Sequence, residues 1–402
     1  MSVEFSDIKA AAERIKGKVY YSPCPPSVPL SEATGLQIYC KLEYLQRTGS
    51  FKERGACNAL LLLSSEQKRR GVIAASAGNH ALGVTYHGKL LGVPVTVVMP
   101  KFAPLTKVVN CRQMGAKVML HGDNYDEARL HAMQLAESEG LTLIHGFDDD
   151  AVIAGQGTMG LEIIEQVPDL EAVIVPIGGA GLIAGVALAI KTLKPEVKVI
   201  GVESDCAMSY MQSLKTGGPV TVTIKSTLAD GLAVSCVGKN AFEIARKHVD
   251  RVVAVKEKDI ALAVLRLVEL EKSVVEGAGA TPLAACLAGL VPELIGRKVV
   301  LPLTGGNIDT TVLGRILERG LASDGRLCRF SATISDRPGS LAQFAALIAD
   351  EGASIIDIAH DRAFAKGDIS TVTINCIVET RDFEHIKSLH QRLNKEGFET
   401  VF

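Results

Sequence analysis

Short apolar runs alternate with longer amphipathic stretches along most of the chain, and this alternation predicts strands each followed by a helix. Runs at 37–43, 71–75, 93–99, 117–120, 172–177, 197–203, 251–255 and 298–303 read as strands. Helical patterns open the chain in MSVEFSDIKAAAERIKG and recur from SAGNHALG to about Leu91, around Val108, over 125–139 and up to Lys194. Strands that are wholly apolar need cover on both faces, so the expected fold class is α/β, with open parallel sheets and helices on either side. The four prolines of YSPCPPSVPLSEATG predict an extended segment instead of a helix. Ser50, followed three residues later by Glu53, has the spacing of a capping box, which predicts a helix from Phe51 to about Arg70 with Ser50 as its N-cap.

The order of elements changes after residues 320–326, GLASDGR, a polar glycine-bearing joint. Beyond it the pattern predicts strands at 327–334, 353–360, 370–378 and 398–402, and helices at 341–351 and 383–395. That order is βαββαβ, the ferredoxin-like arrangement of a small domain. The expected domains are therefore 1–322, holding a smaller α/β subdomain at roughly 45–150, and 327–402.

Composition narrows the function. With 47% hydrophobic and 22% charged residues and a formal net charge of -2, the chain is ordinary globular protein with neither a nucleic-acid footprint nor a polybasic membrane patch. Its nine cysteines are scattered singly, without a CxxC pair, which predicts reduced thiols and a cytoplasmic protein. The first residues lack the pattern of a signal peptide, and no apolar run has the length of a membrane span. Small molecules or protein partners are the expected ligands.

Four strand-end turns carry candidate chemistry. Lys52 falls in the first turn of its predicted helix, where unpaired N–H groups favour a neutral amine by about 0.3–1 kcal/mol. A neutral lysine amine is what imine formation with a carbonyl needs, although Lys52, Glu53 and Arg54 also suit a solvated helix face. In PIGGAGLIAG, Gly178, Gly179 and Gly181 can bring bare backbone N–H groups to a phosphate, or can serve only tight strand-to-helix packing. SAGNHALG offers a second helix start, with Ser76 as N-cap and Asn79 and His80 in the first turn, able to receive a carboxylate or simply well capped. In LPLTGGN, the Thr304 hydroxyl can serve a neutral ring nitrogen or cap the next turn.

Together these turns resemble the fold type II pyridoxal-phosphate enzymes, specifically the threonine dehydratases (threonine ammonia-lyases), from Val19 to about Glu318. KLEYLQRTGSFKERGA resembles their cofactor-lysine motif, which implies that Phe51 and Lys52 meet the cofactor and that Lys52 binds its aldehyde as an imine. SAGNH resembles their substrate loop, which implies that Asn79 bonds the cofactor ring oxygen while Ser76, Ala77 and Gly78 line the substrate carboxylate, with Asn79 and His80 also in the substrate site. GGAGL, Gly178 to Leu182, resembles their phosphate loop, usually written with four glycines; Ala180 departs from it, and the departure is expected to be tolerable only at negative φ. TGGN resembles their SGGN, with Thr304 facing the pyridine nitrogen. The tail resembles an ACT domain, a small amino-acid sensor, with DRPGSL placing Asp336, Gly339 and Leu341 at the effector turn.

The resemblance implies a β-elimination: threonine to 2-oxobutanoate and ammonia, and serine to pyruvate, with Lys52 as general base, in a homodimer or homotetramer regulated by an amino acid. A serine racemase or serine-preferring dehydratase is the neighbouring reading, but racemase relatives resemble SSGNH, and Ala77 cannot move a proton. A non-catalytic amino-acid sensor is the alternative of another class. Glu203 resembles the strand-end acid of racemase cation sites, but Ser209 stands where a second carboxylate is expected, which predicts no strong divalent metal site.

Overall fold

The computed structural model describes residues 3–361 and 370–401. Met1 and Ser2, in the predicted first helix, and Phe402, in the predicted last strand, lie outside the described residues. The chain divides into two units, one ending at Thr310 and the other beginning at Thr311.

The first unit holds two sheets, each wholly parallel. One has the order Gln37–Lys41, Lys298–Pro302, Ala172–Pro176, Lys198–Ser204, Arg251–Val255. The other has the order Lys117–Leu120, Val95–Met99, Val72–Ala75, Thr142–Leu143. Every residue of Val72–Ala75, Val95–Met99 and Ala172–Pro176 is buried, as strands covered on both faces require.

Backbone contact between helices fixes the helix Lys52–Leu61 in place. It lies against Asp150–Gln166 so closely that a Cβ on Gly155 would come within 2.7 Å of the Arg54 carbonyl oxygen. Asp150–Gln166 in turn touches Gly181–Leu193, where a Cβ on Gly185 would sit 2.4 Å from the Ile153 carbonyl oxygen. A buried ion network anchors the same helix. Arg54 donates to Glu43 at 2.9 and 2.7 Å and to Glu162 at 2.6 and 2.8 Å, while Lys41 donates to Glu162 at 2.5 Å and to the Ser22 carbonyl at 2.6 Å. Burial works against the Glu43 charge, but Arg54 outweighs it and holds the carboxyl below its ordinary range. The charged residues flanking Lys52 in the motif are therefore a structural lock and not a solvated face.

Several boundaries differ from expectation. Val28–Thr34 is helical despite its proline, because Pro29 occupies the first turn, where no backbone N–H is needed, and Ser27 caps the start by accepting from Leu30 N–H at 3.1 Å. The single helix predicted to Arg70 is two, Lys52–Leu61 and Ser65–Arg70, the second opened by a true capping box between Ser64 and Gln67. The helix Thr310–Ser323 runs through most of the predicted joint at 320–326.

The second unit has the predicted βαββαβ order. Its antiparallel sheet is ordered Ser354–Asp361, Thr371–Glu379, Leu327–Ser335, Glu399–Val401, with helices Ser340–Asp350 and Phe383–Lys395. Alternate residues of the middle strands, Phe330 and Ile334 on one and Val372, Ile374 and Val378 on the other, join Phe344, Leu389 and Phe398 in a separate core. Among the described residues, no helix is long and apolar enough to cross a membrane.

Candidate active site

All four predicted turns of the first unit line one cavity. Lys52 is the first residue of its helix, and Phe51 precedes it as N-cap. The predicted capping box does not form. Ser50 is drawn into a bridge with Gly305, which leaves its hydroxyl buried without a partner, while Phe51 N–H goes to the Thr304 carbonyl at 3.0 Å. The Glu53 carboxylate accepts the Thr48 amide instead and faces His87 at 3.4 Å. The Lys52 and Thr304 turns are thus laced together, and Asn307 extends the lacing by donating to the Thr48 carbonyl at 2.6 Å and to Asn79 Oδ1 at 2.9 Å.

Lys52 Nζ donates to the Gly146 carbonyl at 2.6 Å and lies 5.2 Å from the centre of the Phe51 ring. Burial lowers its pKa to about 8, with the Glu276 charge opposing the fall. The direction is the one expected at a helix N-terminus, but desolvation is its cause. Labelling of Lys52 by a small amine-directed reagent is therefore expected to rise with a midpoint near pH 8 in the ligand-free protein, followed by peptide mass mapping. Exposed lysines should rise only near pH ~10.4.

The substrate-loop helix begins later than predicted. It spans Asn79–Leu91 with Gly78 as N-cap, and Ser76 Oγ accepts from Gly78 N–H at 3.1 Å in a tight turn. Asn79 and His80 are its first two residues. Asn79 Nδ2 donates to Glu276 at 2.7 Å. His80 Nε2 pairs with the Ile144 carbonyl at 2.9 Å, so Nε2 carries the proton; burial, then Lys52, lowers the pKa to about 3 and the ring is neutral.

The glycine-rich turn leads into the helix Gly181–Leu193. Among the described residues, the amides of Gly178, Gly179, Ala180, Gly181 and Leu182 meet no backbone carbonyl, so the turn presents a row of free N–H groups. Packing also demands its glycines: a Cβ on Gly179 would lie 2.3 Å from the Phe147 ring, and one on Gly181 would lie 2.3 Å from the Phe147 carbonyl oxygen. Ala180 contradicts the expected negative φ. Its φ is 71°, left-handed, as the N-cap of the helix. That conformation costs an alanine roughly 1–2 kcal/mol. Its methyl is 2% exposed. Burying it returns about 0.8 kcal/mol, and alanine avoids the extra chain entropy of glycine, which makes the departure tolerable.

Thr304 is 2% exposed and lies two residues beyond the strand Lys298–Pro302, not at its end. Glu203 is not among the cavity residues; its carboxylate accepts the amides of Tyr210 and Met211 at 2.7 and 2.9 Å and so caps the helix Ser209–Thr216. Asp336, Gly339 and Leu341 lie in the second unit, where Gly339, at φ 95°, caps the helix Ser340–Asp350 and Leu341 is exposed.

The cavity also holds residues that the motifs did not single out, among them Lys107, Phe147, Asp230 and Glu276. Burial raises the Glu276 carboxyl to about 7, with Asp230 adding to the rise. The signal for Glu276 was its isolation, a lone acid in the apolar run VVEGAGA. Phe147 gave no signal.

The pyridoxal-phosphate dependent enzyme family matches residues 15–305. Among curated proteins the chain is similar to the L-threonine ammonia-lyase of Thermotoga maritima, 45% identical over 99% of this chain and 98% of that protein. The L-threonine ammonia-lyase of Geobacter sulfurreducens is 46% identical over 97% of each. Among solved structures, the processed form of threonine deaminase isoform 2 from Solanum lycopersicum matches with a TM-score of 0.74 and 38% identity, over 78% of this chain and 91% of that one. Serine racemase from Dictyostelium discoideum matches with a TM-score of 0.72 and 37% identity, over 77% of this chain and all (100%) of that one.

Proposed function

Because the chain belongs to the pyridoxal-phosphate dependent enzyme family, we propose that it is a threonine ammonia-lyase, converting L-threonine to 2-oxobutanoate and ammonia and L-serine to pyruvate. The observation that carries this reading is a half-buried lysine amine, its pKa lowered to about 8, facing the same cavity as a row of free amides and an uncharged hydroxyl.

The residues fit pyridoxal phosphate. The five amides of 178–182 suit its phosphate, Lys52 its aldehyde carbon, Asn79 its ring oxygen and Thr304 its ring nitrogen. When bound, the cofactor supplies an electron sink for the carbon that bears the substrate amine. Lys52, with its pKa lowered to about 8, would be neutral often enough near that pH to take the Cα proton as general base. The loop Ser76 to Gly78, at the N-terminal end of Asn79–Leu91, holds the substrate carboxylate. Thr304 brings no charge to the ring nitrogen, so it favours prompt loss of the β-hydroxyl over chemistry that needs a long-lived carbanion. Ala77 lines the cavity without an ionisable atom, which favours elimination over racemisation.

We assign residues 327–402 to an ACT regulatory domain, supported by the βαββαβ order and by the two ammonia-lyase relatives, which match nearly the full chain. The effector turn is Asp336 to Leu341, the assembly a homodimer or homotetramer, and the compartment the cytoplasm. A chain ending at Thr310 is expected to keep its elimination activity and lose its response to amino-acid effectors; an undiminished response would remove the regulatory role from the tail. The function itself is tested by incubating the protein and cofactor with L-threonine or L-serine and assaying 2-oxo acids and D-serine. Accumulating 2-oxobutanoate supports the proposal, and D-serine without 2-oxo acid overturns it in favour of racemisation.

A further inference from the structure

We infer that Lys107 is the counter-charge for the substrate's α-carboxylate and the residue that selects amino acids over their uncharged analogues. The inference rests on the elimination site proposed above. Lys52 and Lys107 are the two lysines among the described residues lining the cavity, no arginine lines it, and His80 is held neutral. Lys52 is committed to imine chemistry, which leaves Lys107 as the available fixed cation.

Its position matches the substrate loop. Lys107 belongs to the helix Leu105–Gln113, and its Nζ lies 3.9 Å from where a Cβ on Gly78 would stand. Its side chain is 18% exposed, and its ion partner is Asp230 at 3.7 Å, beyond hydrogen-bond reach. Asp230 is 68% exposed, so the pair is screened by water and holds the ammonium only weakly. A half-buried lysine side chain with so loose an ion partner gains from a carboxylate brought to the neighbouring loop. The charge of Lys107 also reaches into the cavity: burial and Asp230 raise the Glu276 carboxyl, and Lys107 opposes them. The loop amides and helix end alone provide roughly half a unit of positive charge. They can accept a carboxamide oxygen as well as a carboxylate, whereas a lysine discriminates between them.

The test uses the full-length holoenzyme and two ligands without a β-leaving group, L-alanine and L-alaninamide, whose binding is followed by the cofactor's absorbance. In Lys107→Met, L-alanine should weaken by at least about tenfold while L-alaninamide stays within about twofold, and Lys107→Arg should restore most of the loss. KM for L-threonine should rise in parallel, with kcat nearly unchanged. Equal weakening of both ligands would reduce Lys107 to a structural role and overturn the inference, as would no change in either. A fall in pyridoxal phosphate affinity with L-alanine binding intact would move Lys107 to the phosphate and overturn it too. If wild-type protein makes no 2-oxobutanoate yet the alanine and alaninamide responses still separate, the carboxylate assignment stands and the substrate reading fails.

Discussion

Lys52→Ala is expected to cut 2-oxobutanoate formation from L-threonine by at least about 10³-fold. General base catalysis alone contributes about 10²–10⁴-fold, and the variant also loses the covalent attachment of the cofactor. Stability should not fall with activity. The Lys52 amine makes one hydrogen bond, to the Gly146 carbonyl, and burial disfavours its charged form, so alanine removes little that holds the fold. Thermal unfolding of the cofactor-free variant should match or exceed that of cofactor-free wild type, and effector binding to residues 327–402 should persist. Turnover that survives the substitution would remove Lys52 from the chemistry.

Arg54→Ala, two residues along the same helix, is expected to do the reverse, destabilising the first unit by about 3–5 kcal/mol. Arg54 and Glu43 are fully buried, and Arg54 also bridges to Glu162. Its loss leaves the two carboxylates with Lys41 as the remaining cation of the network. Removing one member of a buried network costs more than the network contributes as a whole, because the stranded charge stays desolvated. Urea unfolding should show a lower midpoint with an unchanged slope. A shift below about 1 kcal/mol would show that water reaches the network.

These two residues mark what could be read in the sequence and what could not. Strands such as Lys117–Leu120 and Arg251–Val255, and helices such as Tyr125–Glu139 and Phe383–Lys395, carry their pattern locally, and their bounds agree with the structure. Each of the four turns has an ordinary structural use, as the packing at Gly179 and Gly181 shows, so it was their joint resemblance to one family's motifs that singled them out, and the fold brings all four to one cavity. Arg54 was not legible as structural, since a charge in a KER triplet is buried only by partners at Glu43 and Glu162 that fold brings together. Ser50 illustrates the same limit: the capping-box spacing is present, but pairing with Gly305, distant in sequence, takes the residue away from the helix. Helices Asp150–Gln166 and Gly277–Leu287 left no periodic signal because the first is buried all round from Val152 to Gly160, the second over nearly its whole length, and both contain several glycines, with Pro282 inside the second. Lys107 and Glu276 come to the site from separate stretches, so only the fold sets them beside the substrate loop.

The role of Lys52 is tested by borohydride reduction of the protein loaded with pyridoxal phosphate, followed by digestion and peptide mass mapping. Reduction fixes the cofactor to whichever lysine holds it. One modified peptide is expected, the one carrying Lys52, and none when excess L-threonine is added before the reductant. Modification at another lysine, or no modification of protein that takes up the cofactor, would contradict it.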